Sequence, residues 1–224
     1  MCGRTSLFVA PADLEDRFDA TVPEAYEPRY NIAPADPIEV ITADKPDTVQ
    51  RFTWGLLPHW AEDPSDGLIN ARSESVAEKP AFRDAWESRP CLVLSSGFYE
   101  WDDGPGPNQP YRVYREDDPA FAMAGLWQEW EHNGRSRRTV TILTTEANDR
   151  LESIHDRMAV LLPREDEQTW LTADPTTRRD LCRPYDGGDL DMYPISTRVN
   201  DPANDDPGII DPADTEQSDL GAWG

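Results

Sequence analysis

Lysine, cysteine and histidine are scarce in this chain, and it has no long apolar run. Two of its 21 basic residues are lysines, Lys45 and Lys79, set against 44 acidic residues for a net charge of −23. Such a balance reads either as a protein that repels or mimics nucleic acid, or as a surface adapted to molar salt. The acidic residues are spread along the chain as Glu-Asp, Asp-Asp and Asp-Pro pairs, which favours salt adaptation. At that salt the Debye length is about 3 Å, so net charge does not exclude an anionic ligand. Cys2, Cys91 and Cys182 are too few and too widely spaced for a disulfide framework or a paired-cysteine zinc site. No stretch approaches the ~20 apolar residues of a membrane helix. The first residues also lack a signal peptide's basic start and apolar centre, so a soluble, cytoplasmic protein is expected.

A chain of 224 residues is long enough to bury one core. Strand-like runs lie at Ile38–Thr42, Arg51–Leu56, Cys91–Ser95, Tyr111–Tyr114, Ala120–Leu126, Thr139–Thr144 and Met158–Leu162. Helix-like stretches are short: Asp13–Phe18, Ser75–Trp86, Thr145–Ile154 and Glu165–Ala173. Within the second, Phe82 and Trp86 stand i,i+4 on one face as a core-facing pair. Strands outnumber helices without alternating regularly with them, which predicts an α+β domain over residues 1–212. Cys91 opens an apolar run and reads as a buried structural thiol. Beyond Asn200 the chain is rich in Asp, Pro and Gly, and residues 213–224 read as a disordered acidic tail.

Cys2 directly follows the initiator methionine. Removal of Met1 would leave one residue bearing an α-amine, of reference pKa roughly 7.7–8.0, and a thiol of roughly 8.5. The amine of such a 1,2-aminothiol condenses with an aldehyde, and the thiol then closes a thiazolidine ring. The same group could instead act as an amino-terminal thiol nucleophile with its own amine as base. Elsewhere, polar residues gather in four segments: Trp54–Trp60, Asn70–Glu74, Gly97–Trp101 and Ile154–Met158. Each has an ordinary explanation. Asn70 suits a helix N-cap, His155 a satisfied structural histidine, Arg157 a surface pair with Asp156 or Glu152, and Trp54 and Trp60 the core. Glu100 differs, because flanking Phe98, Tyr99 and Trp101 would raise its pKa by desolvation. Together with Cys2, the set supplies a nucleophile, an orienting amide and acid–base groups.

Cys2-Gly3-Arg4, Arg29–Pro34, Trp54–Trp60, Asn70–Glu74, Gly97–Trp101 and His155–Met158 occur in that order. This series resembles the SOS response-associated peptidase family, whose members shield abasic sites by crosslinking to them. The resemblance covers Cys2 to about Pro212. It implies a barrel-like, mostly antiparallel β core with a groove for single-stranded DNA, no cofactor or metal, and a monomer without a membrane partner, nucleoid-associated when bound. Carried over by position, it makes Cys2 the crosslinking residue, Asn70 the holder of the terminus and sugar, Glu100 the manager of protons, and His155 the assistant to ring opening and reversal. Arg4, Arg72, Lys79, Arg83, Thr144 and Arg157 become DNA contacts, with Pro34 and Trp60 placed to wedge or stack on a base. The family often has a second aromatic after the position of Trp60, where this chain has Ala61. Two other readings compete. Class II glutamine amidotransferases also begin Met-Cys-Gly, but Arg4 stands where they usually carry an aliphatic residue, and their Asn-Gly-Glu segment has no counterpart here. The third is a single-stranded DNA binder without chemistry.

Overall fold

Apolar side chains at alternate positions drive most of this chain into strands, since successive strand residues face opposite sides. The computed structural model describes residues 3–102, 104 and 108–213. Along the chain run β1 (Arg4–Leu7), α1 (Pro11–Phe18), β2 (Arg29–Ile32), β3 (Pro37–Thr42), β4 (Lys45–Trp54), β5 (Asn70–Arg72) and α2 (Arg83–Ser88). There follow β6 (Pro90–Ser95), β7 (Gly97–Trp101), β8 (Pro110–Arg115), β9 (Phe121–His132), β10 (Arg135–Glu146), β11 (Arg157–Ala159) and β12 (Leu161–Leu162). The last elements are α3 (Arg164–Thr172), α4 (Pro175–Leu181) and β13 (Leu190–Pro194). The fold is a single α+β domain with more sheet than helix, as expected.

Five strands close a barrel in the order β10–β4–β3–β6–β9, with β9 returning to β10. Four of the pairings are antiparallel. The fifth, β4 with β10, is parallel through Thr53 with Thr139 and Trp54 with Val140. Closure pairs strand edges that would otherwise be open. The interior is tight: a Cβ on Gly125 would stand 2.6 Å from Val93 Cγ2 and 2.9 Å from Cys91 Sγ. Cys91 is buried as expected, and burial pushes its thiol pKa up. A second, antiparallel sheet runs β13–β8–β7–β1–β2. No helix among the described residues is long and apolar enough to cross a membrane.

Several expectations need correcting. The helix expected over Thr145–Ile154 does not form. β10 continues to Glu146, where Thr145 and Glu146 pair with Met158 and Arg157, and turns follow. Non-local strand pairing outweighs local helix preference there. Of the expected helix Ser75–Trp86, only the part from Arg83 is α-helical. Pro80 lacks the N–H that a helix interior needs, and turns fill the segment before it. Phe82 and Trp86 are nonetheless both buried. The expected strand Met158–Leu162 divides at Val160, whose N–H donates to Leu143 O instead. The segment after Asn200 folds back onto the protein, with a 3-10 turn at Pro207–Ile210 that buries Ile209. Beyond Ala213, the expected acidic tail lies outside the described residues.

Helices on the outside are pinned by polar anchors. Asp174 caps α4 by accepting from the N–H groups of Thr176 and Thr177, ahead of Pro175. Arg178 is buried against the rings of Trp86 and Trp170 and donates to Trp86 O. Asp118, 1 % exposed, gathers Arg17 from α1, Arg115 from β8 and Arg164 from α3. Burial alone would raise the Asp118 pKa, but hydrogen bonds from Arg164 and Arg17 hold it below the usual carboxylate range. A depressed carboxylate contributes stability that is present above its unfolded pKa of about 3.9 and is lost as pH falls through the folded value. Asp118→Asn should therefore lower stability by about 1.5–3 kcal/mol at neutral pH, because Arg17 and Arg115 lose one charged partner while keeping Glu167 and Asp189. It should also flatten the decline of stability below about pH 4, both effects being read by urea unfolding across pH.

Candidate functional site

One part of the site forms where β1 lies between β2 and β7. Arg4 pairs with Tyr99 and Thr5 with Phe98, so the next residue outward, Gly3, comes level with Glu100. Glu100 is 1 % exposed, between buried Tyr99 and half-buried Trp101. β7 opens at Gly97 with φ +152°, and a Cβ there would meet Val113 O at 2.9 Å and Arg112 Nη2 at 3.2 Å. Ser95 Oγ accepts from Gly97 N at 3.0 Å, and Ser6 Oγ donates to Gly97 O at 3.0 Å. These bonds fix where the glutamate strand begins. Cys2 and Met1 lie outside the described residues; Gly3 is the peptide-bonded neighbour of Cys2.

A carboxy-terminal turn closes over this end. Asn200 accepts from Trp101 Nε1 through Oδ1 at 2.8 Å and from Arg4 Nη2 through its backbone oxygen at 3.2 Å. The turn is held from the Arg29–Pro34 segment. Buried Asn31 Nδ2 donates to the carbonyls of Val199, Asp201 and Asn204 at 2.9–3.2 Å. Asp205 accepts from the N–H groups of Tyr30 and Asn31. Neither Asn31 nor Asn200 stood out by itself in the sequence, because their partners are 99 to 196 residues away. Pro34 sits half-buried at the tip of a tight turn closed by Asp36 N to Ala33 O, with Ala35 at φ +72°.

The other part is built on β10. Asn70 is a strand residue and not a helix cap: β5 runs parallel to β10, with Asn70 beside Ile142 and Arg72 beside Thr144. Ala71 points into the core, which turns Asn70 and Arg72 to the outer face. Arg72 is exposed and lines one hollow with His155, Asp156 and Arg157. His155 Nδ1 accepts from Arg157 N at 2.9 Å and lies 3.2 Å from Asp156 Oδ1. An accepting Nδ1 puts the proton of the neutral ring on Nε2, a tautomer assigned from this geometry. Arg157 does not pair with Glu152. It forks onto Glu74 at 2.6 and 3.0 Å, and also donates to the backbone oxygen of buried Thr144 at 2.8 Å. Those hydrogen bonds hold the Glu74 carboxyl below its usual value. The pair ties the Asn70–Glu74 segment to the His155–Met158 segment.

The remaining candidates are set apart on the surface. Lys79 and Arg83 are exposed on the turns leading to α2 and at its start, where Arg83 donates to the Glu78 carbonyl. Trp54 is in the core, as expected, but Trp60 is not. It is 50 % exposed and edge-on to His59 at 4.7 Å. Its loop is anchored by its neighbour, since Ala61 is buried and accepts from Trp130 Nε1 at 2.8 Å. Position 61 therefore faces inward and adds nothing to an exposed platform. No group of His, Cys, Asp and Glu among the described residues could hold a metal ion.

Residues 1–202 match the family model described as SOS response associated peptidase (SRAP). A relative from Bacillus subtilis (strain 168), the abasic site processing protein YoqW, is 39 % identical over 222 residues, spanning 94 % of this chain and 99 % of its own. The abasic site processing protein HMCES of Xenopus tropicalis is 27 % identical over 259 residues, covering 92 % of this chain and 77 % of its own. A crystal structure of a protein from Bacteroides thetaiotaomicron superimposes with a TM-score of 0.85 at 28 % identity, across 95 % of this chain and all of that one.

Removing the Asn31 amide would take away two N–H donors shared among three carbonyls, of which Asp201 O keeps the N–H of Asn204. At about 1 kcal/mol net for each bond, Asn31→Ala should cost about 2–3 kcal/mol. Amide hydrogen exchange should speed up over residues 199–204 ahead of the barrel strands.

Proposed function

The chain belongs to the SOS response-associated peptidase family, and from that membership we propose that it recognises abasic sites in single-stranded DNA and shields them covalently through Cys2. The observation that carries this reading is the placement of a buried carboxylate, Glu100, level with Gly3, the residue to which Cys2 is bonded. Once Met1 is lost, the α-amine of Cys2 attacks the aldehyde carbon of the ring-opened abasic sugar. Water leaves as the imine forms, and the Cys2 sulfur adds to the imine carbon while its proton passes to nitrogen. One C–N and one C–S bond are made, one water is released, and no oxidant or cofactor is consumed.

Proton transfers at this carbon need a donor and an acceptor close to neutral pH. Glu100 serves as the acceptor from the amine. His155 donates from Nε2 to the sugar oxygen as the ring opens, and the reverse transfers undo the link. Asn70, on the outer face of β5, holds the terminal residue and the sugar. Arg4 and Arg157 are engaged by Asn200 and Glu74, so of the candidate cations exposed Arg72, Lys79 and Arg83 are the ones turned to phosphate. Arg157 and Thr144 then brace that surface from behind. Trp60 stacks on a base beside the lesion, with Pro34 as the opposing wedge. The family's peptidase name corresponds to release of Met1, by the protein itself or by an aminopeptidase.

The salt response separates covalent from ionic retention. Reversible binding to single strands weakens with a log–log slope of about −0.7 per phosphate contact. A thiazolidine does not depend on salt once formed. Incubated with abasic single-stranded DNA and run on a denaturing gel, the wild type should give a shifted band that survives about 2 M KCl, where screening is nearly complete. Cys2→Ala should give none. A band of equal intensity from Cys2→Ala, or Met1 still present in the crosslinked species by mass spectrometry, would overturn the reading. Glu100→Gln should form the link at least about 100-fold more slowly, the usual scale of a lost general acid or base.

A further inference from the structure

A neutral imidazole is a far weaker acid than an imidazolium. A histidine that protonates a sugar oxygen therefore does so from its charged form, with an N–H on both ring nitrogens. Once charged, His155 needs an acceptor at Nδ1 as well as a target at Nε2. At rest, Nδ1 accepts from Arg157 N at 2.9 Å. Asp156 Oδ1 lies 3.2 Å from the same nitrogen. Two acceptors that close, with no proton between them, repel. A proton on Nδ1 turns the contact into a charge-assisted hydrogen bond.

The backbone on either side holds this contact in place. His155 N donates to Leu151 O at 2.9 Å, and Asp156 O accepts from Ala147 N at 3.0 Å. The turn itself is capped by Asn148, whose Oδ1 accepts from Leu151 N at 3.1 Å while Nδ2 donates to Tyr185 O at 2.6 Å. Arg157, the cation next to Asp156 in sequence, is engaged by Glu74 instead. No arginine or lysine among the described residues pairs with Asp156, whose side chain is exposed apart from its approach to the ring. Among those residues, the charged groups facing His155 are Arg72 from β5, Glu146 from β10, Glu152 and Asp156 from the turn, and Arg157 from β11, itself matched by Glu74. Carboxylates outnumber guanidiniums in that company, as a ring that must carry charge requires.

We propose that Asp156 takes the Nδ1 hydrogen bond of charged His155 and so keeps the ring in the form that protonates the sugar oxygen. The proposal rests on the abasic-site reading above. Solvent supplies the proton to Nδ1, and the hydrogen bond there passes from Arg157 N to Asp156. The ring need not leave its place, because both partners already lie at that nitrogen. Nε2 then gives its proton to the sugar ring oxygen, which also takes the electron pair of the breaking C–O bond. The anomeric hydroxyl loses its own proton to water and becomes the aldehyde. What remains is a neutral ring with its proton on Nδ1, the tautomer opposite to the resting one. Its bare Nε2 can take a proton back, which is what reversal of the link requires. Asp156 is a positioning residue, since it touches the histidine and not the sugar.

His155 is one of three histidines, with His59 and His132, so its ring can be followed by NMR titration and assigned with His155→Gln. Asp156→Asn removes the charge and should move the titration midpoint of His155 down by about half a pH unit, the scale of an exposed ion pair. Above the midpoint the charged fraction falls in proportion, so crosslinking to abasic single-stranded DNA at about pH 8 should slow about threefold. Asp156→Glu should restore both values. A merely structural loss would slow the reaction without moving the titration. An unmoved His155 midpoint in Asp156→Asn, or a lowered midpoint with undiminished crosslinking, would overturn the proposal. Failure of the underlying abasic-site reading would appear separately, as absence of a crosslink by the wild type, while the titration needs no DNA.

Discussion

The parallel pairing of β4 with β10, two residues long, closes the barrel and sets the course of the strand from which the site is built. β10 has both edges occupied, and each edge changes partner near Leu143. On one side β9 gives way to β11; on the other, β4 gives way to β5. The change of partners is what makes room for chemistry. Where β9 diverges toward β12, the turn bearing His155 leads into β11. Where β4 ends, β5 enters with Asn70 and Arg72. A one-residue slip of β5 against β10 would turn Asn70 and Arg72 toward the core and Ala71 toward solvent.

Charge is organised on the same frame. The excess of acid is tolerable because the acidic groups at structurally critical points are either capping helices, as Asp174 does, or receiving arginines, as Asp118 does with three of them. Glu74 does the same for Arg157 at the site. That ion pair joins two segments which the sequence separates by some 80 residues. It also removes from solvent a guanidinium whose position in the motif suggested a phosphate contact. Of the candidate cations near the site, exposed Arg72, Lys79 and Arg83 stay available to a ligand.

Much of the fold was legible because burial imposes a period. The runs at Ile38–Thr42, Cys91–Ser95 and Tyr111–Tyr114 became strands within a residue of their expected ends, and Glu165–Ala173 became a helix with its acidic first turn. Errors fell where a distant partner outweighed local preference. Thr145 and Glu146 joined β10 because β11 was there to pair with them. Asn70, a good helix cap by composition, entered a strand because β10 offered a free parallel edge. Trp60 lies in an apolar-looking turn, yet it is exposed because its neighbour Ala61 takes the inward position under Trp130.

The sequence alone was enough to single out Cys2. The order Met1-Cys2 is what suggests an amino-terminal aminothiol once Met1 is lost, and no folding is needed to read that order. The sequence also determined the family, since six short motifs kept their order along the chain. Only the tertiary structure decided which of the other candidate residues come together. Gly3 comes level with Glu100 by strand register, Asn200 reaches Arg4 and Trp101 from the far end of the chain, and Arg157 turns to Glu74. Hydrogen bonds and ion pairs of this kind are short-ranged in space and indifferent to sequence separation, so nothing local in the chain announces them.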